Sequence, residues 1–119
     1  MPSPKVPDEY IMGYLDKLDG RSAIAQELRA RYAEVCADRG GADTLSYLER
    51  SLVERAIWAE YWITTQERHL AEGKPFDVGR YTQAVNAYAG LAAKIGLPRV
   101  PRNVTGLQEY LQGTRRADA

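Results

Sequence analysis

The segment that decides the fold runs from Leu45 to Gly96 and reads LSYLERSLVERAIWAEYWITTQERHLAEGKPFDVGRYTQAVNAYAGLAAKIG. In its first half, apolar residues recur at steps of three, four and seven, which places them on one stripe of a helix. The link at 73–76, GKPF, interrupts this pattern, and a second apolar stripe follows it. The sequence therefore predicts an all-α fold built on an antiparallel hairpin with helices over 46–72 and 77–95.

Capping signals mark the start of each hairpin helix. Ser46 and Glu49 have the spacing of a capping box, in which each side chain bonds to the other residue's backbone amide. Asp77 is a typical N-cap residue for the second hairpin helix. Phe76 and Tyr81 flank it at the positions of a hydrophobic staple, which fixes the direction of the incoming chain.

The first hairpin helix is apolar over most of its circumference, which is typical of a helix that is buried on more than one side. The second hairpin helix covers one side, and either the N-terminal helices of the same chain or a neighbouring subunit covers the other. Large aromatic residues on these faces fill a core or anchor an oligomer interface. The candidate interface residues are Trp58, Tyr61, Trp62, Tyr81 and Tyr88.

Three regions follow from breaks in the pattern. Residues 1–20 form an N-terminal arm, with a short helix expected at about 8–18. Residues 21–96 form the helical core, which begins with a helix over 22–38. Two prolines in residues 97–119 predict an extended basic linker, followed by a short C-terminal helix and a disordered tail.

Charge gives little support for strong binding to nucleic acid or to a membrane surface, because 16 basic residues balance 16 acidic ones. Arg21, Arg29 and Arg31 alternate with acidic residues along the second helix. Two interpretations are open: a solvated surface whose charges pair with each other, or a footprint for phosphates.

The chain carries no recognisable catalytic constellation. Cys36 is the only cysteine, which excludes an intramolecular disulfide and a cysteine-based zinc site. His69, the only histidine, is placed to complement a helix dipole rather than to act as a general base. We expect a protein that is not an enzyme, binds no cofactor or metal, does not span a membrane and resides in the cytoplasm.

Several stretches resemble the small terminase subunits of tailed bacteriophages and prophages, over about residues 19–104. They are the run 45–56, the link 73–77, Tyr81 with Asn86, and the ending Ile95-Gly96-Leu97-Pro98-Arg99.

The resemblance implies a ring of subunits assembled through the hairpin, which binds viral DNA and recruits the large terminase subunit that packages it. Leu107, Tyr110 and Leu111 would then form the docking peptide for the large subunit. A separate helix-turn-helix domain is not evident in the sequence, so DNA contact is expected to be weak or non-specific. The residues expected to make it are Arg21, Arg29, Arg31, Arg99 and Arg102. The alternative is a monomeric or dimeric helical module that binds a host or phage protein and has no role in packaging.

Overall fold

A computed structural model describes residues 5–98, and these residues form four α-helices, one short 3-10 turn and no strand. The all-α fold and its helical hairpin are therefore confirmed, while the predicted C-terminal helix lies outside the described residues. The elements are α1 (Tyr14–Lys17), α2 (Ala23–Asp38), the 3-10 turn (Ala42–Thr44), α3 (Tyr47–Ala71) and α4 (Val78–Ile95).

The capping box that starts α3 is present as predicted. The Ser46 hydroxyl accepts a hydrogen bond from the Glu49 amide at 3.1 Å, and the Glu49 carboxylate accepts one from the Ser46 amide at 3.0 Å. Each side chain thus bonds an amide at the start of the helix that has no partner within the helix itself.

The link between α3 and α4 combines a glycine stop with a hydrophobic staple. Gly73 has a φ of 74°, a left-handed conformation that costs glycine little. The Lys74 amide donates to the His69 carbonyl at 2.9 Å, the long hydrogen bond of a Schellman motif. Phe76 and Tyr81 then pack with ring centroids 5.1 Å apart, which confirms the predicted staple and turns the chain back along α3.

The buried core lies on one side of the hairpin. There α2 packs against α3, burying Leu28 and Cys36 from α2 beside Val53 and Ile57 from α3. The N-terminal residues complete this core with Val6, Tyr14, Leu15 and Leu18.

The predicted N-terminal helix is much shorter than expected. The apolar spacing indicated a helix at about 8–18, but α1 contains only Tyr14–Lys17. Residues 5–13, called here the N-terminal strap, cross the side of α3 without helical structure. Gly13 explains the difference, because its φ of 80° ends the strap and its amide bonds to a side chain of α3 rather than to a preceding helical turn.

Residues 5–98 are elongated and unevenly covered. The longest axis measures 63 Å and the radius of gyration is 18.4 Å, against about 13 Å for a compact domain of about 100 residues. Four residues of α3 are buried, whereas α4 has none. The second side of the hairpin therefore remains open. Nothing between residues 5 and 98 combines the length and the apolarity that a membrane-crossing helix requires.

Candidate interaction surfaces

Glu54 holds the N-terminal strap against α3. Its Oε1 atom accepts a hydrogen bond from the Tyr10 hydroxyl at 2.7 Å and another from the Gly13 amide at 2.8 Å. Hydrogen bonds to a charged acceptor are stronger than those between neutral groups. One carboxylate oxygen thus fixes both the path of the strap and the first residue before α1.

Trp58 is covered by this strap. Its indole nitrogen donates to the Pro7 carbonyl at 2.9 Å, and its ring meets the edge of Tyr10 at a centroid distance of 6.2 Å. Tyr10 in turn makes an edge contact with Tyr14 at 6.1 Å. Both the apolar ring and the polar nitrogen of the candidate interface residue Trp58 therefore make contacts within its own chain.

Packing raises the pKa of two tyrosines, Tyr10 in the strap and Tyr14 at the start of α1. Burial, followed by the nearby Glu54 carboxylate, raises the pKa of Tyr10 to about 12. The same two causes raise the pKa of Tyr14, with burial again the larger. Both phenols stay neutral through the physiological range, and neither is suited to act as a general base there.

Trp62, four residues after Trp58 on α3, stacks against an arginine of α4. The Arg80 guanidinium from α4 stacks over the indole at 4.8 Å, a cation–π arrangement. Arg80 also donates to the Asp8 carbonyl at 3.3 Å, so it bridges α4 and the strap across the tryptophan. Trp62 remains half-buried in this arrangement.

A polar cluster ties α2, α3 and α4 together halfway along the hairpin. Glu60 accepts from the Arg31 guanidinium at 3.1 Å and from the Tyr88 hydroxyl at 2.9 Å. Arg31 also pairs with Glu27 one turn earlier in α2. Tyr88, another candidate interface residue, therefore contributes its hydroxyl to a contact between helices of one chain.

The last two candidate interface residues also contact their own chain. Tyr61 packs against the core cluster, and the Tyr81 hydroxyl donates to Glu67 at 2.7 Å while its ring packs on Phe76. All five predicted interface residues are half-buried. The structure distributes them around the hairpin and does not gather them into one exposed patch.

The predicted DNA-contacting arginines differ in how free they are. Arg29 is engaged, because its guanidinium donates to the carbonyls of Leu15 and Leu18 and so closes the end of α1. Arg31 is engaged with two glutamates, as described above. Arg21 has a side chain that is 93% exposed and only a 3.5 Å contact to Asp19, which leaves it accessible to an anion. Arg99 and Arg102 lie outside the described residues, as do Leu107, Tyr110 and Leu111.

An open groove runs between α3 and α4 on the side away from α2. Its volume is about 540 Å³, and its lining is almost wholly apolar. Arg55 borders the groove, but its guanidinium stacks over the Tyr10 ring of the strap at 4.1 Å. Leu48, one turn before Leu52 on the same face of α3, is 71% exposed. The residues that line the groove are Leu52, Arg55, Ala87, Gly90, Leu91 and Lys94. The sequence carries no separate signal for this surface, because its leucines belong to an apolar stripe that predicts only helix pairing.

A smaller cleft of about 170 Å³ opens where α2 meets the end of α4. Its lining combines apolar residues such as Ile57 and Ile95 with the charged residues Asp38 and Arg39. The Arg39 guanidinium donates to the Pro98 carbonyl at 2.7 Å and so holds the chain at the mouth of the cleft.

Two features of residues 5–98 bear on metal binding and thiol chemistry. Between residues 5 and 98, no group of three His, Cys, Asp or Glu side chains could hold a metal ion. Cys36 is buried, and this burial raises the pKa of its thiol, which disfavours the reactive thiolate.

Comparison with known proteins identifies no relative: no protein family, no curated protein and no solved structure matches this chain.

Proposed function

We propose that this protein is an oligomeric adaptor of the small terminase subunit type, which acts in phage DNA packaging without catalytic activity of its own. Copies of the chain associate through the hairpin, bind viral DNA weakly or without sequence specificity, and recruit the large terminase subunit. The observation that carries the proposal is the open side of the hairpin, where an apolar groove lies between two long helices.

The energetic reason for association is the apolar surface that one chain leaves in water. Leu48 is 71% exposed and Leu52 and Leu91 are half-buried, although all three lie on one side of the hairpin. Full burial of an exposed leucine side chain contributes about 1.5–3 kcal/mol. A partner that covers these three residues therefore gains several kcal/mol, which offsets part of the entropic cost of association.

Light scattering on the purified full chain tests the assembly step. We expect an oligomer at tens of micromolar and a shift towards smaller species for Leu48→Gln. Leu70→Gln is the matched control, since Leu70 is 58% exposed but lies near the tip of the hairpin, far from the groove. A monomeric wild-type protein at this concentration would refute the proposed assembly.

Binding to the large terminase subunit tests the packaging role. We expect a chain truncated before Asn103 to keep its oligomeric state and to lose affinity for the large subunit, because Leu107, Tyr110 and Leu111 are removed. DNA affinity should fall as salt rises, because phosphate neutralisation releases counterions. Unchanged affinity for the large subunit after truncation would remove the docking role, and undetectable DNA binding at low salt would remove the nucleic-acid role.

A second candidate function is a monomeric or dimeric helical module that binds another host or phage protein and plays no part in packaging. The strap over Trp58 favours it, because the chain already covers one of the aromatic residues that would anchor a ring. A wild-type monomer that binds neither DNA nor the large subunit would support this second function.

A further inference from the structure

Gly90 lies in the middle of α4, where the packing of residues 5–98 does not require a glycine. It is exposed and lines the groove between α3 and α4. A Cβ atom built on Gly90 would meet no described atom within 4 Å beyond its own helical turns. Glycine inside a helix is destabilising relative to alanine, so the missing side chain indicates the close approach of another chain segment.

The groove suits an occupant that is apolar and short. Its lining is almost wholly apolar and includes Leu52 and Leu91, and Leu48 continues the same face of α3 with 71% exposure. The α4 wall runs from Ala87 to Lys94, which is about 10 Å along the helix axis. A helix of two to three turns with one apolar face fits this length.

The chain leaves the four helices next to this groove. The Arg39 guanidinium donates to the Pro98 carbonyl at 2.7 Å and so fixes the point of exit. Arg39 also borders a small hollow together with Leu52 and Lys94, and those two residues line the groove as well. The hollow therefore connects the exit at Pro98 with the groove.

Residues 99–119 contain one segment with the required character, at 105–113. Leu107, Tyr110 and Leu111 have the spacing of one helical face, and Glu109 is the single charged residue of this segment. The link 99–104 reaches about 20 Å when it is extended. That length covers the distance from Pro98 back along α4 to the middle of the groove, which is about 10 Å.

The other cavity near Pro98 suits this segment less well. The cleft between α2 and α4 is lined by Asp38, Arg39 and Glu60 in addition to its apolar residues. An apolar helix face placed there would remove water from these charged groups without offering them a partner. The groove between α3 and α4 carries no such cost.

We propose that the groove between α3 and α4 receives the segment 105–113 of the same chain, with Leu107, Tyr110 and Leu111 packed against its leucines. The link makes this contact intramolecular, and short flexible links give effective concentrations in the mM range. An intrinsic Kd of about 1 mM therefore fills the groove about half of the time.

The seated segment and a neighbouring copy of the chain compete for the same leucines. This competition rests on the self-association and the large-subunit docking proposed above, whereas the seating of the segment does not. A large subunit that binds Leu107, Tyr110 and Leu111 frees the groove for a neighbouring copy. Recruitment of the large subunit therefore promotes association of the copies.

Chymotrypsin cleavage after Tyr110 in the full chain tests the seating, because the cleavage rate follows the population of released segment. The rate is measured by mass spectrometry in a dilution series that starts below the concentration of half-association. Gly90→Glu places a charged side chain in the apolar groove and should speed the cleavage about twofold or more. Ala89→Glu is the matched control, because Ala89 is exposed on α4 but does not line the groove. Circular dichroism checks that both variants are folded.

Analytical ultracentrifugation of the full chain tests the competition. Leu107→Gln with Leu111→Gln should lower the concentration of half-association about twofold or more, because the released groove is free for a neighbouring copy. Val100→Gln with Val104→Gln is the matched control, since both valines lie outside the segment 105–113. An unchanged concentration of half-association in the leucine variant overturns the competition.

The outcomes separate the seating from the proposed function. Equal cleavage rates in the wild type and Gly90→Glu overturn the seating, and so does equal acceleration by Ala89→Glu. Protection that disappears on dilution shows a segment bound to a neighbouring copy and overturns the assignment to the same chain. A monomeric wild type with a protected Tyr110 refutes the proposed assembly and supports the seating. An oligomeric wild type without protection leaves the proposed function standing.

Discussion

Replacing Glu54 by alanine should release the N-terminal strap from α3. The substitution removes the oxygen that accepts from both the Tyr10 hydroxyl and the Gly13 amide. A hydrogen bond to a charged group contributes about 1.5–3 kcal/mol, and partial exposure of this site favours the lower end of that range. Because the released donors regain some hydration, we expect the free energy of unfolding to fall by about 2–3 kcal/mol. That loss is a large fraction of the total for a protein of this size.

Two further substitutions calibrate this estimate. Glu54→Gln keeps a neutral oxygen at the same position, so both hydrogen bonds can persist without the charge, and the expected loss is about 1 kcal/mol. Glu67→Ala removes one exposed hydrogen bond, from Tyr81, and should leave the free energy of unfolding nearly unchanged.

Urea unfolding followed by tryptophan fluorescence measures all three variants. Detachment of the strap also removes the Pro7 and Tyr10 contacts from Trp58, so Glu54→Ala should shift the emission of the folded protein to longer wavelength. The reasoning fails if Glu54→Ala costs no more than Glu67→Ala and leaves the folded emission unchanged.

Two other predictions concern the capping box and the titration of the strap. Ser46→Ala removes the cap of α3 and should lower the free energy of unfolding by about 1 kcal/mol, measured by urea denaturation; a neutral result would contradict the assigned capping role. Tyr10 has a pKa raised to about 12 in the folded chain, against about 10 when unfolded. Its contribution to stability is therefore fully present below pH of about 10 and is lost as pH rises towards about 12. Unfolding measured across this interval should depend less steeply on pH in Tyr10→Phe, and equal slopes would refute the assignment.

The hairpin was predictable from sequence because its signals are local. Ser46, Asp77 and the staple of Phe76 on Tyr81 act within a few residues of their own positions. The same is true of α2, which was predicted over 22–38 and spans Ala23–Asp38 with Ser22 as its cap. Each of these helices begins where nearby side chains bond the backbone amides that have no partner within the helix.

The path of the N-terminal strap was not predictable in the same way. The apolar spacing from Ile11 to Leu18 fits a helix, yet Ile11 is 49% exposed and the helix begins only after Gly13. The competing interaction comes from Glu54, 41 residues away in the chain, whose carboxylate captures the Gly13 amide. No local sequence pattern predicts a hydrogen bond between residues so far apart in the chain, because helical periodicity indicates only which residues share a face.

The location of the strap shows which side of α3 belongs to the core and which side is available for association. The sequence alone does not distinguish these two sides. An aromatic-rich helix that is apolar on several sides predicts both a stable core and a surface for association. In the structure, α2 and the strap cover the side that contains Val53 and Trp58, so substitutions there should act on folding. The side with Leu48 and Lys94 stays open, so substitutions there should act on association. Loss of stability and loss of assembly are therefore expected to map to opposite sides of the same hairpin.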